Sequence, residues 1–324
     1  MKSVTNYHGM LTIDVIIPVH NGACFIDRCL QSVVGQSIAV NKIFVVNDGS
    51  TDPTQLILEA WAERDSRVRP IKLPKSGVNA ARNEGLRQSE ADFVAFLDVD
   101  DVWMPRKLEV QLKVFRDSTD SLGLVYGGQL IINEEGNRID GVGKHEPVMR
   151  GELYQTLLHN GNVITGSASN VMIRRDVFSD VGLFDESLMF GEDWDMWIRI
   201  AHRYKVDYVN DVTVKICQRP DSTQGDQSVG SGLVRFKSNL TVLMKHSGKF
   251  QWTEKMIRHN HRMGFEVWRS SGYDYDVLRS LKAHMLKFDG IPDVLAKFHN
   301  IRYCLLLLRY YLKGSKIKKM LGLS

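Results

Sequence analysis

The chain is poor in cysteine and has no long apolar run, and both shortages narrow the kind of protein it can be. Its 324 residues include four cysteines, none at the CxxC spacing of a metal or redox site: Cys24, Cys29, Cys217 and Cys304. A disulfide-stabilised secreted domain is therefore not indicated, and a reducing cytoplasm fits the composition best. No segment reaches the ~20 apolar residues that cross a bilayer. No secretory signal is visible, because the apolar stretch 15–19 is short and contains Pro18.

Two common nucleotide-binding signatures are missing as well. A dinucleotide-binding fold carries Gly-x-Gly-x-x-Gly after its first strand, and here that position reads Pro18-Val19-His20-Asn21-Gly22. A P-loop is also absent from the sequence. These absences argue against a nicotinamide-dependent dehydrogenase and against a P-loop enzyme.

The first hundred residues contain a regular alternation of strand and helix patterns. Short apolar runs and segments with helical spacing follow one another, with strands predicted over 13–18, 42–46, 68–73 and 92–97 and helices over 23–36, 54–63 and 78–89. This βαβαβαβ order predicts an α/β fold, doubly wound, with a mostly parallel sheet between helices.

The later sequence predicts further elements and a second region. A helix is expected over 105–115, an extended segment over 122–132, a turn at 135–137 between two short strands, and a helix opening near 190–197. Beyond about residue 226 the strand patterns fade, and helices divided by glycines are expected. A chain of this length exceeds one small core, so we expect a catalytic domain over 1–230 and a helical region over 231–324.

Three carboxylates end an apolar run in the sequence Phe96-Leu97-Asp98-Val99-Asp100-Asp101. Carboxylates this close repel one another, and each tends to hold a proton. A divalent cation removes the conflict, since hard oxygen ligands suit Mg²⁺ or Mn²⁺ and the ion can also neutralise a diphosphate. A solvated acidic turn that caps the next helix is the alternative interpretation.

Polar residues also follow the first two strands. Residues 18–21 come after the first strand, and Asn47 to Asp52 come directly after the second. Ligands of such sheets bind beyond the carboxyl ends of the strands, so these segments and the acidic turn are expected to form one site. An acid at position 48 can bond a base or a sugar edge, although the same sequence is also good turn and N-cap chemistry.

Five short motifs occur in the order and approximate spacing of family 2 glycosyltransferases. The chain resembles that family over roughly residues 10–225, through Val15-Ile16-Ile17-Pro18-Val19-His20-Asn21, Val46-Asn47-Asp48-Gly49-Ser50-Thr51-Asp52, Ala80-Ala81-Arg82-Asn83-Glu84-Gly85, Phe96-Leu97-Asp98-Val99-Asp100-Asp101 and Gly191-Glu192-Asp193-Trp194-Asp195. The resemblance implies a GT-A fold and an inverting enzyme of polysaccharide biosynthesis. Its substrates would be a nucleotide sugar, expected to be a UDP-sugar, and a hydroxyl of a glycan or lipid-linked acceptor.

The resemblance also implies roles for individual residues. The donor-binding set would be Pro18, His20, Asn21, Asp48, Arg82, Asp98 and Arg219, with Asp100 and Asp101 holding Mn²⁺ or Mg²⁺. Asp193 is the expected catalytic base, which takes the proton of the acceptor hydroxyl during a single in-line displacement. The expected acceptor contacts are Glu192, Trp194 and Ser167. The segment after the next strand carries Arg219 but lacks the His of many relatives, so a water or Asp221 would complete the metal shell.

Structural alternatives stand beside these roles. Arg82 could form a surface salt bridge, Trp194 and Trp197 could pack in the core, and acids at 192–193 could complement a helix dipole. The segment 161–170 could border the acceptor or be an ordinary polar loop.

Two other kinds of protein are alternatives to a glycosyltransferase. A nucleotidyltransferase usually carries a Gly-rich basic loop after the first strand, which residues 18–22 lack apart from His20. A non-catalytic sugar-binding module would be expected to have lost the acids, yet Asp98, Asp100 and Asp193 are present.

The last residues are basic. From residue 301 on there are six basic side chains and no acid, namely Arg302, Arg309, Lys313, Lys316, Lys318 and Lys319. Next to the apolar run 303–308, they could lie on an anionic membrane surface, or they could end a buried helix with a solvated tip. We therefore expect a cytoplasmic protein, with possible peripheral contact at the inner face of the membrane. Nucleic acid is not an expected partner, since no aromatic platform accompanies the charge.

Overall fold

The first half of the sheet is built from parallel strands joined by helices. The computed structural model describes residues 11–139, 143–219 and 229–246 together with 266–267, 269–271, 276 and 279–281. Its first elements are β1 (Ile13–Val19), α1 (Ile26–Val34), β2 (Lys42–Asp48), α2 (Thr54–Arg64), β3 (Val68–Leu73), α3 (Val78–Gln88) and β4 (Phe93–Phe96). The strands lie in the order β3-β2-β1-β4, and each pairs in parallel with its neighbour. Every residue of β1 is buried, as expected of a central strand covered on both faces.

The second half continues the same sheet with mixed pairing. Its elements are β5 (Val102–Trp103), α4 (Lys107–Arg116), β6 (Leu122–Ile132), α5 (Tyr154–Asn160), β7 (Met172–Arg174), α6 (Val177–Val181), α7 (Glu192–Ala201) and β8 (Lys205–Cys217). The strand order runs on as β4-β7-β6-β8-β5, where β7 is antiparallel to both neighbours and β6 is parallel to β8. The predicted fold class, a mostly parallel α/β sheet between helices, is confirmed.

One local prediction fails beyond β6. The sequence predicted two short strands around a turn at residues 135–137, whereas β6 is one strand of 11 residues. After the turn, the chain returns only through isolated bridges, Ile132 with Arg138 and Gln129 with His145. The long strand is favoured because it lies between β7 and β8 and so bonds on both sides, while the returning chain at residues 134–138 is mainly polar.

Contacts along the chain divide it into two compact units, Met1–Asp226 and Gln227–Ser324. The described part of the second unit contains helix α8 (Val229–Lys245). The functional division into a catalytic domain over 1–230 and a helical region over 231–324 stays a prediction, and the basic tail lies outside the described residues. None of the helices in the described ranges has the length and apolar character needed to cross a membrane.

Candidate active site

The loops after β1 and β2 are bonded to each other at the sheet edge. Asn21, with a positive φ of 52°, donates its backbone N–H to Ser50 Oγ (2.9 Å), and its Oδ1 accepts the N–H of Thr51 (2.8 Å). Asp52 accepts the N–H of Ala23 (3.0 Å) and that of Thr54 at the start of α2 (3.1 Å). The turn chemistry expected of residues 47–52 is therefore present, and it fixes one wall of the predicted donor site.

A lysine that the sequence analysis missed lies at this wall. His20 Nδ1 lies 2.8 Å from the carbonyl oxygen of Asp48, and Lys75 Nζ contacts His20 Nε2. Because an ammonium group only donates, this network assigns the proton of the neutral imidazole to Nδ1. Lys75 comes two residues after β3, so the strand-end rule that selected the other residues could have found it.

Asp48 ties the end of β2 to the start of α3. Its two carboxylate oxygens accept the backbone N–H groups of Ser76 (2.5 Å) and Gly77 (2.9 Å), and the residue is 4% exposed. Its predicted contact with a base stays a prediction. That contact would use the lone pairs that the two amides leave.

The three acids after β4 have different surroundings. Asp101 is 4% exposed, and its oxygens accept Ser169 Oγ–H (2.5 Å) and the backbone N–H of Cys217 (2.8 Å). Burial, followed by the charges of Asp100 and Asp98, raises the pKa of Asp101 well above its usual range. The Asp101 carboxylate is thus bonded to the protein interior, an arrangement that favours a structural role over the predicted metal contact.

Asp98 and Asp100 are more accessible than Asp101. The Asp98 carboxylate is 31% exposed and that of Asp100 is 15% exposed. Burial and the charge of Asp98 raise the pKa of Asp100, and Arg219 opposes this with its Nε 3.1 Å from Asp100 Oδ2. The Arg219 guanidinium also lies over the Phe25 ring, 5.1 Å from its centroid.

Asp98 and Asp100 could supply some, but not all, of the ligands of a divalent ion. Among the described residues, no group of three or more His, Cys, Asp or Glu side chains could hold a metal ion. Two crowded carboxylates supply hard oxygen ligands, and an ion of this kind commonly takes its remaining ligands from substrate phosphates and water. The donor set is therefore compatible with Mg²⁺ or Mn²⁺ held jointly with a diphosphate.

Ser169 joins this turn to the neighbouring strands, and no sequence signal marked it for that role. Its buried hydroxyl accepts the backbone N–H of Asp98 (3.0 Å) while it donates to Asp101. Its carbonyl oxygen accepts Trp103 Nε1–H (2.8 Å). One serine thus holds the acidic turn at both of its ends.

Arg82 is buried between two carboxylates. Its Nη2 donates to Asp98 Oδ1 (2.8 Å), its Nη1 donates to Glu192 Oε1 (3.1 Å), and the residue is 2% exposed. The alternative of a surface salt bridge is therefore wrong. Glu192 is bonded to Arg82, and its predicted role as an acceptor contact stays a prediction.

Asp193 lies in the first turn of α7 and is only half-buried. Its Oδ2 accepts Ser167 Oγ–H (3.0 Å) and Asn162 Nδ2–H (3.4 Å), and its Oδ1 accepts the N–H of Trp194 (2.8 Å). Gly191 precedes α7 with a φ of 72°, a left-handed backbone conformation that glycine adopts without a steric penalty. A carboxylate oriented this way can take a proton from a bound hydroxyl.

The aromatic residues of α7 pack in the core. Trp194 is 7% exposed and donates Nε1–H to the Leu157 carbonyl (3.0 Å), and Trp197 is fully buried. The burial of Trp194 favours packing, because stacking on a sugar needs an exposed ring face, and its predicted contact with an acceptor stays a prediction. The packing alternative holds for both tryptophans.

The polar segment 161–170 divides between two roles. Asn170 is buried and donates to the carbonyls of Gly127 (2.5 Å) and Thr165 (2.9 Å), so it fixes the loop to the sheet. Ser167 and Asn162 instead reach Asp193. The interior half of this segment is structural, and the other half borders the candidate base.

A family model described as glycosyl transferase family 2 matches residues 14–182. Among curated relatives, an uncharacterized glycosyltransferase of Rickettsia conorii is 27% identical over 230 residues, which are 71% of this chain and 37% of the relative. The chondroitin synthase of Escherichia coli is 29% identical over 207 residues, which are 63% of this chain and 28% of the relative. The chain spans from 36% to 63% of the length of the first four such relatives.

Two solved structures share the fold at low sequence identity. Staphylococcus aureus TarS in complex with UDP has a TM-score of 0.60 at 17% identity, covering 89% of this chain and 83% of that one. The mannosyltransferase PcManGT of Pyrobaculum calidifontis, in complex with GDP-Man and Mn²⁺, has a TM-score of 0.54 at 17% identity. It covers 97% of this chain and 83% of that one.

Proposed function

Because the chain belongs to glycosyl transferase family 2, we propose that it is an inverting glycosyltransferase. It would move a sugar from a nucleotide-sugar donor to a hydroxyl of a glycan or lipid-linked acceptor. The observation that carries the proposal is the pairing of two different acidic sites. One site is the half-buried Asp193, which accepts a hydrogen bond from Ser167. The other is the turn with the partly exposed Asp98 and Asp100, and Arg82 links it to α7, the helix that carries Asp193.

The donor is proposed to be a UDP-sugar. Two TarS structures are complexes with UDP and with UDP-GlcNAc, whereas the PcManGT structure is a complex with GDP-Man and Mn²⁺. In this chain, the loops after β1 and β2 and the His20–Lys75 contact supply hydrogen-bonding groups for a nucleotide. A GDP-sugar is the competing outcome of the donor test below.

Asp193 would act as general base in one displacement. An acceptor hydroxyl is a poor nucleophile until its proton is taken, and a positioned carboxylate contributes about 10²–10⁴ in rate. The nucleoside diphosphate would leave from the opposite face of the anomeric carbon, so the configuration inverts without a covalent intermediate. Ser167 and the Trp194 amide hold the carboxylate in one orientation for this step.

Asp100, together with Asp98, would hold Mg²⁺ or Mn²⁺ at the diphosphate. When bound, the ion would neutralise the charge that develops on the leaving diphosphate. Arg219 is paired with Asp100 and lies over the Phe25 ring. Its guanidinium would also donate to a phosphate oxygen of the donor. Asp101, with Ser169, would keep the turn in place rather than bind the ion.

The proposed acceptor is a glycan or a lipid-linked glycan, and the proposed location is the inner face of a membrane. A lipid-linked glycan at the inner face of the membrane would agree with the basic sequence 301–324, which lies outside the described residues. Around Asp193, the neutral hydrogen-bonding groups of Asn162 and Ser167 suit sugar hydroxyls. A binding module without activity would need no oriented general base. A nucleotidyltransferase would need no base to take a proton from an acceptor hydroxyl on the sugar side.

The test is hydrolysis and binding of UDP-, GDP- and dTDP-sugars with Mn²⁺ or Mg²⁺, on wild type, Asp100→Asn and the control Asp117→Asn. Asp117 is an exposed acid at the end of α4, paired with Lys113. We expect slow, metal-dependent release of one nucleoside diphosphate, largely lost in Asp100→Asn and kept in the control. Binding to no donor in the presence of metal would refute the proposal. Formation of a nucleotide sugar from a sugar phosphate and a nucleoside triphosphate would favour the nucleotidyltransferase.

A further inference from the structure

The two acidic sites of the proposed reaction are joined by a single buried side chain. Arg82 lies in α3 and bonds Asp98 of the turn after β4 with one terminal nitrogen and Glu192 of α7 with the other. Asp98 is two residues from Asp100, and Glu192 is the neighbour of Asp193. The guanidinium thus bridges the donor side and the base side.

Its burial sets Arg82 apart from a ligand-binding arginine. The residue is 2% exposed, and its guanidinium lies 5.5 Å from the centroid of the Phe184 ring. Its Nε is buried and makes no hydrogen bond to any residue that the structure describes. A direct contact with a nucleotide would require Arg82 to leave this pocket and both carboxylates.

The charges around Arg82 require a cation that stays in place. Burial, followed by the charge of Asp193, raises the pKa of Glu192, and Arg82 opposes both effects. Burial alone would lower the pKa of Arg82, but Asp98 and Glu192 raise it above its usual value. Removing one partner of such a group leaves an uncompensated buried charge, so each member keeps the others in position.

The rest of the α3 face holds the segment that leads into α7. Asn83 donates to the carbonyl of Phe184 (2.9 Å) and accepts its N–H (2.9 Å). One turn earlier, Asn79 donates to the carbonyls of Asp185 (3.0 Å) and Leu188 (2.9 Å). α3 therefore bonds the segment before α7 through Asn79 and Asn83, and it bonds the first residue of α7, Glu192, through Arg82.

We infer that Arg82 is a positioning residue that fixes the distance between the donor-side acids and the catalytic base, and that it does not bind the donor. The inference rests on the proposed function. It predicts that changing Arg82 disturbs the alignment of reactants more than the binding of either one. Misplacement of a reacting group by about 1 Å can cost about 10² in rate.

The kinetic test compares Arg82→Lys with Arg199→Lys. Lysine keeps the charge but cannot span two carboxylates with a planar fork. Arg199 is the matched control, because it pairs with the buried Asp195 of α7 (3.0 Å) without joining the two acidic sites. We expect Arg82→Lys to lower kcat about 10²-fold while the donor Kd changes less than about threefold, and Arg199→Lys to change kcat little.

Two kinetic results would overturn the inference. A large rise in donor Kd at unchanged kcat in Arg82→Lys would make Arg82 a donor ligand. Equal losses of kcat in Arg82→Lys and Arg199→Lys would make its role merely structural. Glu192→Gln, which keeps an oxygen acceptor for Arg82, should retain more kcat than Glu192→Ala.

A stability measurement tests the bridge independently of activity. Asp98→Ala and Glu192→Ala, singly and together, form a double-mutant cycle on the unfolding free energy. With Arg82 present we expect the two effects to be non-additive, and with Arg82→Lys we expect them to add. Additive effects with Arg82 present would contradict the bridge, whether or not the wild type is active. Failure of the wild type to turn over any nucleotide sugar would contradict only the proposed function.

Discussion

Two acidic residues of the candidate site, Asp101 and Asp193, are held in opposite ways. Asp101 is buried, and both of its oxygens accept hydrogen bonds from interior groups. Asp193 is half-buried, and its partners Ser167 and Asn162 belong to a loop that is itself partly exposed. The proposed donor side, at Asp101, is therefore fixed by the folded core, while the proposed base, Asp193, is more accessible.

This difference has a structural origin. The donor side stands at the ends of parallel strands, where backbone amides such as those of Ser76 and Gly77 lie at fixed positions. The proposed base side stands where α7 starts after Gly191, and the loop with Asn162 and Ser167 bonds Asp193 there. We therefore expect substitution of the buried Asp101 to cost stability and substitution of the more accessible Asp193 to cost turnover.

The largest effect should follow from Asp193→Asn. The amide cannot accept the acceptor proton, so kcat should fall about 10²–10⁴-fold. Asparagine keeps one oxygen for Ser167 or Trp194, and a helix N-terminal acid contributes only about 0.3–1 kcal/mol, so the unfolding free energy should change by no more than about 1 kcal/mol. Steady-state rates and urea unfolding of the same preparations measure both quantities.

Asp195→Asn is the control for this substitution. Asp195 is fully buried in the same helix and is paired with Arg199, so its loss should lower stability more than Asp193→Asn does. If Asp193→Asn kept wild-type turnover with unchanged donor binding, the base would have to be another residue.

The second largest effect is expected for Asp101→Asn, which tests whether the buried acid of the comparison stabilises the fold. One oxygen becomes an NH₂ group, which either faces the N–H of Cys217 or displaces the hydrogen bond of Ser169. A buried donor without an acceptor costs about 1–3 kcal/mol, so the unfolding free energy should fall by about that amount. Urea unfolding monitored by tryptophan fluorescence measures this change. Wild-type stability in this variant would show that the hydrogen bonds of the Asp101 carboxyl group do not stabilise the fold.

The same contrast explains what the sequence could predict. In the first hundred residues, strands and helices alternate regularly between turn residues, so β3 was predicted with its exact bounds and α2 to within one residue. In the second half, β5 has two residues and β7 has three, and such elements exist only because neighbouring strands pair with them. Asp193 was found through a motif, whereas the network role of Ser169 depends on contacts with residues 68 and 71 positions away.

Arg82 shows the limit of motif reasoning most directly. Its position in the Ala80–Gly85 motif pointed to a role at the site, but the choice between a ligand contact and a surface ion pair missed the arrangement that occurs. Burial of a charged side chain between two acids depends on how α7 packs against α3. The local sequence of α3 does not contain that information.

The smallest effect concerns the loop that orients the base, and it needs a pair of variants. Ser167 has a φ of 53° and a ψ of −153°, a region that only glycine adopts without strain. The neighbouring Gly166, at a φ of 77°, has no room for a side chain, since a Cβ there would lie 2.6 Å from Asn170 Cβ. Both Ser167→Gly and Ser167→Ala remove the hydroxyl that bonds Asp193, but only alanine keeps the strain.

We therefore expect Ser167→Gly to be more stable than Ser167→Ala by about 1 kcal/mol, because strain relief of about 1–3 kcal/mol exceeds the added entropy of unfolded glycine. Both variants should lower kcat by the same few-fold factor, since the hydroxyl that orients the base is gone from each. Urea unfolding and donor hydrolysis measure the two quantities. Equal stabilities would mean that the backbone at 167 is unstrained, and unchanged kcat in both would mean that Asp193 is oriented by Asn162 and its own helix instead.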